Sequence, residues 1–187
     1  MARRPAPPKF LEQQLATLVD QVPTAAGWIY EIKYDGYRTL VAASGKTVTC
    51  YSRNGLDWTH RYGAAPAAIA ALNLRGALID GEMAVYDKEG RTSFEALHEA
   101  LKRGGAGIAF CAFDLLALNG EDLRSLPLVE RKKRLESILR GASASVIYSA
   151  HVDRDGDKLL ASLCRRRFEG KYILDNGPSQ SLGFTGG

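Results

Sequence analysis

Cysteine and histidine are scarce in this chain of 187 residues, which contains three of each. Cys50, Cys111 and Cys164 are far apart, and neither a CxxC pair nor a cluster of histidines accompanies them. Zinc centres and disulfide frameworks are built from such residues at short, regular spacing. We therefore expect buried structural cysteines, histidines at or near the surface, and no zinc centre.

Long apolar runs are also missing, since no segment approaches the roughly 18 apolar residues of a membrane-spanning helix. Residues 1–8 contain three prolines and lack the apolar centre of a signal peptide. We expect a cytoplasmic protein, with no membrane partner and with a flexible, extended arm at residues 1–8.

Charge of one sign is present only in small excess. Lys and Arg total 25 against 21 Asp and Glu, which gives a formal net charge of +4. Such mild basicity permits a nucleic-acid partner but does not require one.

The apolar residues that are present recur with two different periods, which indicates both strands and helices. Three strands with tight turns are predicted within 28–52, and further strands at 77–86, 108–118 and 146–148. Helical spacing occurs at 11–19, 64–74, 93–101, 129–139 and 157–168. This irregular alternation favours an α+β fold with antiparallel β-sheets flanked by helices. We expect one domain over 9–175 and a loose tail, rich in Gly and Ser, over 176–187.

The helix predicted at 129–139 carries a basic run, Arg131 to Arg134. A run of like charges on a helix is most simply a solvated surface, and we expect that here.

Residues 31–38 combine a lysine, two acids, a glycine and an arginine directly after the apolar run at 28–30. Lys33 is thus predicted where a buried strand runs out toward a turn. Desolvation or a neighbouring cation such as Arg38 lowers the pKa of a lysine and frees its amine for nucleophilic attack. A surface strand with alternating charges explains the same residues, so residues 31–38 alone leave both interpretations open.

Other polar residues interrupt strands or follow them. They are Asp35, Arg53, Glu82, Asp114 and Glu169. An amine, arginines and several carboxylates would suit phosphoryl chemistry, because cations hold phosphate oxygens and acids hold a divalent metal. Structural ion pairs would account for the same inventory, and spacing cannot separate the two.

Five motifs in order resemble those of the covalent nucleotidyltransferases, which include ATP-dependent DNA ligases, RNA ligases and mRNA capping enzymes. They are KYDGYR at 33–38, SRNG at 52–55, DGE at 80–82, AFDLL at 112–116 and EG at 169–170. The sequences EIK at 31–33, SRNG, and LPLVERK at 126–132 look most like the ligase domain of bacterial ligase D, the end-joining enzyme. The resemblance covers about 10–170 and implies the adenylation-domain fold of that family.

The resemblance implies a reaction in which Lys33 attacks ATP and carries AMP, with Asp35 and Arg38 as the other catalytic residues. The AMP would then pass to the 5′-phosphate of nicked or broken double-stranded DNA. It further implies a nucleotide site in which Glu31 accepts a hydrogen bond from adenine and Phe113 stacks on the purine. The remaining nucleotide contacts that it implies are Ile32, Lys33, Arg38, Arg53 and Glu82.

The resemblance also implies a metal and partners. Glu82 and Glu169 would hold Mg²⁺ or Mn²⁺, and Arg53 would contact phosphate, most simply that of the DNA end. End-joining proteins are expected partners of a monomeric chain. An RNA ligase, another nucleotidyltransferase or a non-catalytic descendant that binds nucleotide or DNA ends are the alternatives.

The chain departs from the family pattern after Glu169 and Gly170. The family continues with a lysine-rich strand that binds the ATP phosphates, whereas no lysine follows Lys171 here. We expect the C-terminal OB-fold domain of the family to be absent as well. We therefore expect an adenosine site that is present and a self-adenylation step that is impaired.

Overall fold

The structure is a computed structural model that describes residues 5–13, 27–153, 171–175 and 181–184, the last two ranges by their strand pairing alone. Three α-helices are described: α1 (Ala65–Ala71), α2 (Phe94–Lys102) and α3 (Leu128–Ile138), with a short 3₁₀ turn at Thr59–Arg61. The strands are β1 (Trp28–Ile32), β2 (Tyr37–Ser44), β3 (Thr47–Ser52), β4 (Ala77–Val85), β5 (Ile108–Leu118), β6 (Glu121–Asp122), β7 (Val146–Tyr148), β8 (His151–Val152), β9 (Lys171–Asp175) and β10 (Ser181–Phe184).

The strands form two sheets. The smaller sheet has the order β10-β9-β1-β8, and all its described pairs are antiparallel. The larger sheet has the order β3-β2-β4-β5-β6, also antiparallel. Strand β7 joins β5 in the one parallel pair among the described strands. The α+β prediction is confirmed.

The link from β1 to β2 carries the chain from one sheet to the other. It consists of residues 33–36, which belong to neither sheet. The lysine expected at the end of a buried strand therefore lies at the crossover between the sheets.

One face of the larger sheet builds the main core. Val41 of β2, Ile79 and Met83 of β4 and Phe110 of β5 are fully buried there, together with residues of all three helices such as Leu97. Apolar residues at every second strand position place this row on one face, because side chains alternate across a strand. Cys50 and Cys111 are buried and free, as expected, whereas Cys164 lies outside the described residues.

The opposite face of the larger sheet is covered by the N-terminal segment. Phe10 and Leu11 pack on Leu40, Ala42 and Leu78, which are at most 1% exposed. The arm predicted as flexible at residues 1–8 is described from Pro5, whose carbonyl oxygen already accepts a hydrogen bond from Ser44 Oγ at 2.5 Å. From that residue onward the segment contacts the domain.

Most predicted elements are present close to their expected bounds. The N-cap predicted at Ser93 is confirmed, since its side chain accepts a hydrogen bond from the Ala96 N–H. The helix predicted at 157–168 and most of the one at 11–19 lie outside the described residues. The tail predicted as loose at 176–187 contains β10, which pairs with β9 along four residues.

The solvated surface expected for the basic run of α3 is wrong at two positions. Arg131 is 2% exposed and Lys132 is 0% exposed. They follow Leu128 by three and four residues and precede Leu135 by four and three, so all four lie on one helix face. Within the described part of the chain, no helix is long and apolar enough to cross a membrane.

Candidate active site

Lys33 directly follows β1, and the turn after it requires a glycine. The backbone of Gly36 lies against β4, where an added Cβ would overlap the carbonyl oxygen of Met83 and lie 3.1 Å from Glu82 Cγ. The glycine therefore lets the crossover approach β4 closely. This approach brings Lys33 near enough to Glu82 for its charge to lower the pKa of that carboxyl.

Asp35 fixes the crossover to the start of α2. Its Oδ2 accepts a hydrogen bond from the Phe94 N–H at 2.9 Å, and its own N–H donates to Thr92 Oγ1 at 2.7 Å. The first N–H groups of a helix have no partner within the helix, so a carboxylate there satisfies one of them. These two hydrogen bonds hold the Lys33 segment in place.

Arg38 is bound by a carboxylate from the neighbouring strand. Its Nε and Nη2 donate to the two oxygens of Asp80 at 3.0 and 2.8 Å, a bidentate geometry. Burial raises the pKa of Asp80, and Arg38 opposes that rise. The guanidinium lies 5.0 Å from the ring centroid of Phe113, so it is also in cation–π range of that ring.

Glu82 lies opposite Arg38 in the pairing of β2 with β4. It is 9% exposed, and desolvation raises its pKa to about 8, against the opposing charges of Arg38 and Lys33. Gly81, the residue before it, has no space for a side chain, because an added Cβ would lie 2.6 Å from the Cys111 carbonyl oxygen. The glycine inside this strand is explained by the close approach of β5.

Phe113 is the extra residue of an irregularity in β5. Asp80 pairs with Asp114 and Gly81 with Ala112, so Phe113 has no partner in β4. An extra residue of this kind re-aims its side chain and leaves its backbone groups outside the ladder. The Phe113 carbonyl accepts instead a hydrogen bond from Lys132 Nζ at 2.9 Å.

Glu31 is 2% exposed and contacts two polar groups. Its Oε2 accepts a hydrogen bond from Ser149 Oγ at 3.0 Å, and its Oε1 lies 2.9 Å from Lys132 Nζ. That ion pair is close but not well directed, since Oε1 accepts no hydrogen bond of good geometry from the described residues. Burial raises the pKa of Glu31, and Lys132 opposes this.

These contacts bring five of the predicted residues together, and we call them the candidate site: Glu31, Lys33, Arg38, Glu82 and Phe113. They come from β1, the crossover, β2, β4 and β5. Ile32 ends β1, half-buried and opposite Lys171 of β9. Arg53 is exposed in the turn after β3, whose last residue pairs with Thr39, next to Arg38.

The predicted metal ligands are only partly described. Glu169 lies outside the described residues, and within the described part no group of three or more His, Cys, Asp or Glu side chains is arranged to hold a metal ion. Of the two predicted ligands, the structure describes only Glu82.

Several residues that hold the site were not predicted from the sequence as site residues. They are Gln13, Asp80, Thr92, Arg131, Lys132 and Ser149. Arg131 donates to both Asp114 oxygens, at 2.8 and 2.9 Å, and thereby ties α3 to β5. The signal for Arg131 and Lys132 was their helical phase with Leu128 and Leu135. Gln13, Thr92 and Ser149 left no local signal, because they contact Asp80, Asp35 and Glu31 from distant chain positions.

Comparison with known proteins gives a consistent result. The family described as ATP dependent DNA ligase domain matches residues 11–171. The multifunctional non-homologous end joining protein LigD of Pseudomonas aeruginosa is 41% identical over 165 residues, which are 87% of this chain and 20% of that protein. DNA ligase C of Mycobacterium tuberculosis is 33% identical over 147 residues, which are 74% of this chain and 40% of that protein. The chain therefore spans about a fifth of the length of the first relative.

A solved structure described as mycobacterial DNA ligase D complexed with ATP and MES has the same fold. Its TM-score is 0.69 at 28% sequence identity, and the match covers 92% of this chain and 57% of that one. The family match, the relatives and the fold confirm the resemblance seen in the five motifs. This chain belongs to the family of ATP-dependent DNA ligase domains.

Proposed function

We propose that this chain is a DNA ligase adenylation domain that loads AMP onto Lys33 and passes it to a DNA 5′-phosphate during end joining. The observation that carries the proposal is the position of Lys33. It lies at the crossover between the two sheets, beside Glu82, in a chain of an ATP-dependent ligase family. End joining is suggested by the relative LigD, whose name contains that process.

The reaction we propose forms one bond and breaks one bond in each step. The neutral amine of Lys33 attacks the α-phosphorus of ATP; an N–P bond forms, pyrophosphate leaves, and the amine proton goes to solvent. An oxygen of the DNA 5′-phosphate then attacks the same phosphorus and releases the lysine. The 3′-hydroxyl of the adjoining strand finally displaces AMP and closes the backbone.

The other residues of the candidate site bind and orient the nucleotide in this proposal. Glu31 accepts from the adenine amino group through Oε1, the buried oxygen that accepts no well-directed hydrogen bond among the described residues. Phe113 stacks on the purine, which gains dispersion and excludes water. Arg38 and Glu82 hold the ribose, with Ile32 as an apolar contact. Asp35 keeps Lys33 in register through α2.

The proposed metal is Mg²⁺ or Mn²⁺, with Glu82 and Glu169 as its carboxylate ligands. When bound, the ion would neutralise charge on the attacked phosphoryl group. Carboxylate oxygens are the ligands that such hard cations prefer, so the residue types fit.

The proposed macromolecular substrate is nicked or broken double-stranded DNA. Arg53 is exposed near the first residues of β2, where it can contact a DNA phosphate without desolvation of the charge. We further propose that the chain is a cytoplasmic monomer and that end-joining proteins are its partners.

Intact mass after incubation with ATP and Mg²⁺ or Mn²⁺ tests the first step. The deadenylated protein is expected to gain the mass of one AMP, and Lys33→Ala is expected to gain none. Lys46→Ala, at an exposed lysine in the turn after β2, is the matched control and is expected to gain AMP like the wild type. An unlabelled wild type would contradict the proposal and favour a non-catalytic nucleotide-binding role.

Substrate choice needs a second experiment. ATP is expected to label Lys33 in preference to GTP, and a pre-adenylated nick in DNA is expected to be sealed in preference to one in RNA. Preference for an RNA nick would favour the RNA ligase alternative, and preference for GTP another nucleotidyltransferase.

A further inference from the structure

We propose that Lys132 is a positioning residue that sets the nucleotide selectivity of the candidate site, by holding Glu31 as an acceptor-only carboxylate and fixing Phe113 beside it. This inference rests on the proposed function, because it takes Glu31 and Phe113 as the residues that contact the purine. Lys132 itself touches no nucleotide in the proposal.

The contacts of Lys132 are with protein groups, which indicates a structural role and not phosphate binding. The residue is 0% exposed, and its Nζ donates to the carbonyl oxygens of Phe113 and Ser149 at 2.9 and 3.0 Å. Its charge is paired with Glu31 at 2.9 Å. Two of the three N–H donors of the ammonium group are thus used in hydrogen bonds, and the ion pair with Glu31 balances its charge.

The contacts of Lys132 join the two walls of the site. Glu31 belongs to β1 of the smaller sheet and Phe113 to β5 of the larger sheet. Helix α3 contacts both sheets, since Leu128 contacts Ile29 of β1 and Arg131 pairs with Asp114 of β5. Lys132 projects from this helix and contacts both purine-binding residues.

Ser149 completes the same connection. Its N–H donates to the Ala112 carbonyl oxygen at 2.8 Å, which fixes it beside β5. Its hydroxyl donates to Glu31 and its carbonyl accepts from Lys132. Loss of Lys132 would therefore release Glu31, Phe113 and Ser149 from a common anchor.

The charge of Lys132 also fixes what Glu31 recognises. An ionised carboxylate only accepts hydrogen bonds, which matches the 6-amino group of adenine and repels the 6-oxo group of hypoxanthine or guanine. A carboxyl buried to this extent without a cation takes up a proton, because desolvation penalises the charged form. A protonated carboxyl has an O–H donor and no longer distinguishes the two groups.

The test compares ATP with inosine triphosphate, which carries a 6-oxo group in place of the 6-amino group. In Lys132→Met, the ratio of kcat/KM for adenylation with ATP to that with inosine triphosphate is expected to fall by about tenfold or more, since one hydrogen bond to a charged group is lost. KM for ATP is expected to rise more than kcat falls. Lys133→Met removes an exposed lysine of the same helix and is expected to keep the wild-type ratio.

Two further measurements keep the inference testable. If Lys132→Met is unfolded, Lys132→Gln keeps a donor for the Phe113 and Ser149 carbonyl oxygens, removes the charge beside Glu31, and is expected to show the same loss of selectivity. Calorimetric binding of the two nucleotides to Lys33→Ala, with and without Lys132→Met, measures selectivity without the covalent step.

The outcomes separate the two proposals. A wild type that binds ATP selectively but forms no adduct would overturn the proposed function. The role of Lys132 would then be tested by the calorimetric ratio of ATP to inosine triphosphate binding in Lys33→Ala, with and without Lys132→Met. An adduct-forming Lys132→Met whose ratio stays within about twofold of the wild type would overturn the inference alone, given the tenfold change expected from one charged hydrogen bond. Absence of any ATP binding would overturn both.

Discussion

Gly36→Ala is expected to slow adenylation far more than it destabilises the fold. The added Cβ would overlap the Met83 carbonyl oxygen and lie 3.0 Å from the Met83 carbonyl carbon. Non-bonded carbon–oxygen contacts are seldom closer than about 3.3 Å, so the crossover must move by a distance on the order of 1 Å. Lys33 is three residues away on the same segment and moves with it.

The two effects of this shift have different expected sizes. Overpacking of this kind costs about 1–3 kcal/mol of unfolding free energy. A reacting group displaced by about 1 Å loses roughly 100-fold in rate, since nucleophile and phosphorus are no longer aligned. The rate of AMP transfer to Lys33, followed by intact mass under single-turnover conditions, measures the second effect, and denaturant unfolding measures the first.

Gly141→Ala is the matched control for Gly36→Ala. An added Cβ there has open space, but the residue has φ +76°, so alanine is strained by about 1–2 kcal/mol. We expect a comparable loss of stability with an unchanged adenylation rate. A Gly36→Ala protein that adenylates within about threefold of the wild type would refute the link between close packing at Gly36 and the position of Lys33, because the expected loss is roughly 100-fold.

Three further predictions concern the contacts that support the site. Asp35→Ala removes the acceptor for the Phe94 N–H; it is expected to cost about 0.5–2 kcal/mol in denaturant unfolding, and a fully stable variant would contradict the contact. Arg131→Met leaves the Asp114 carboxylate without its cation and is expected to cost about 3–5 kcal/mol of unfolding free energy. Arg134→Met breaks only an exposed ion pair with Glu121 and is expected to cost about 0–1 kcal/mol. Equal losses of unfolding free energy in the two variants would contradict a stabilising role for the buried pair of Arg131 with Asp114. Burial lowers the pKa of His151 from 6.5, so the folded protein is expected to lose stability as the pH drops below that value. His151→Gln is expected to reduce this acid-induced fall in melting temperature. A variant with the same pH profile as the wild type would refute the role of His151.

The elements of the larger sheet were predictable because their signals are local. The strand predicted at 108–118 is present as β5 with the same limits, since a run of apolar and β-branched or aromatic residues defines it. Ser93 was predictable as a cap because a serine directly before a helical pattern satisfies a free N–H. The fold class followed from the order of these elements.

The support of the site was less predictable because it depends on contacts between distant parts of the chain. Ser149 reaches Glu31 across 118 residues of sequence, and Gln13 reaches Asp80 across 67. The parallel pair of β7 with β5, which positions Ser149, has no sequence signature in a strand of three residues. The prediction of a solvated Lys132 was wrong because it followed from the charge of the side chain and not from the helix face that Lys132 shares with Leu128 and Leu135.

The packing of residues 5–13 has a practical consequence for protein engineering. Gln13 donates to the same Asp80 oxygen that accepts from Arg38 Nε, and Phe10 and Leu11 shield Leu40 and its neighbours. A shortened protein that starts at residue 14 would remove a donor from the carboxylate that orients Arg38 and would open an apolar patch to water. The proline-rich start of the chain is therefore a poor place for deletions, and affinity tags are better separated from it by a flexible spacer.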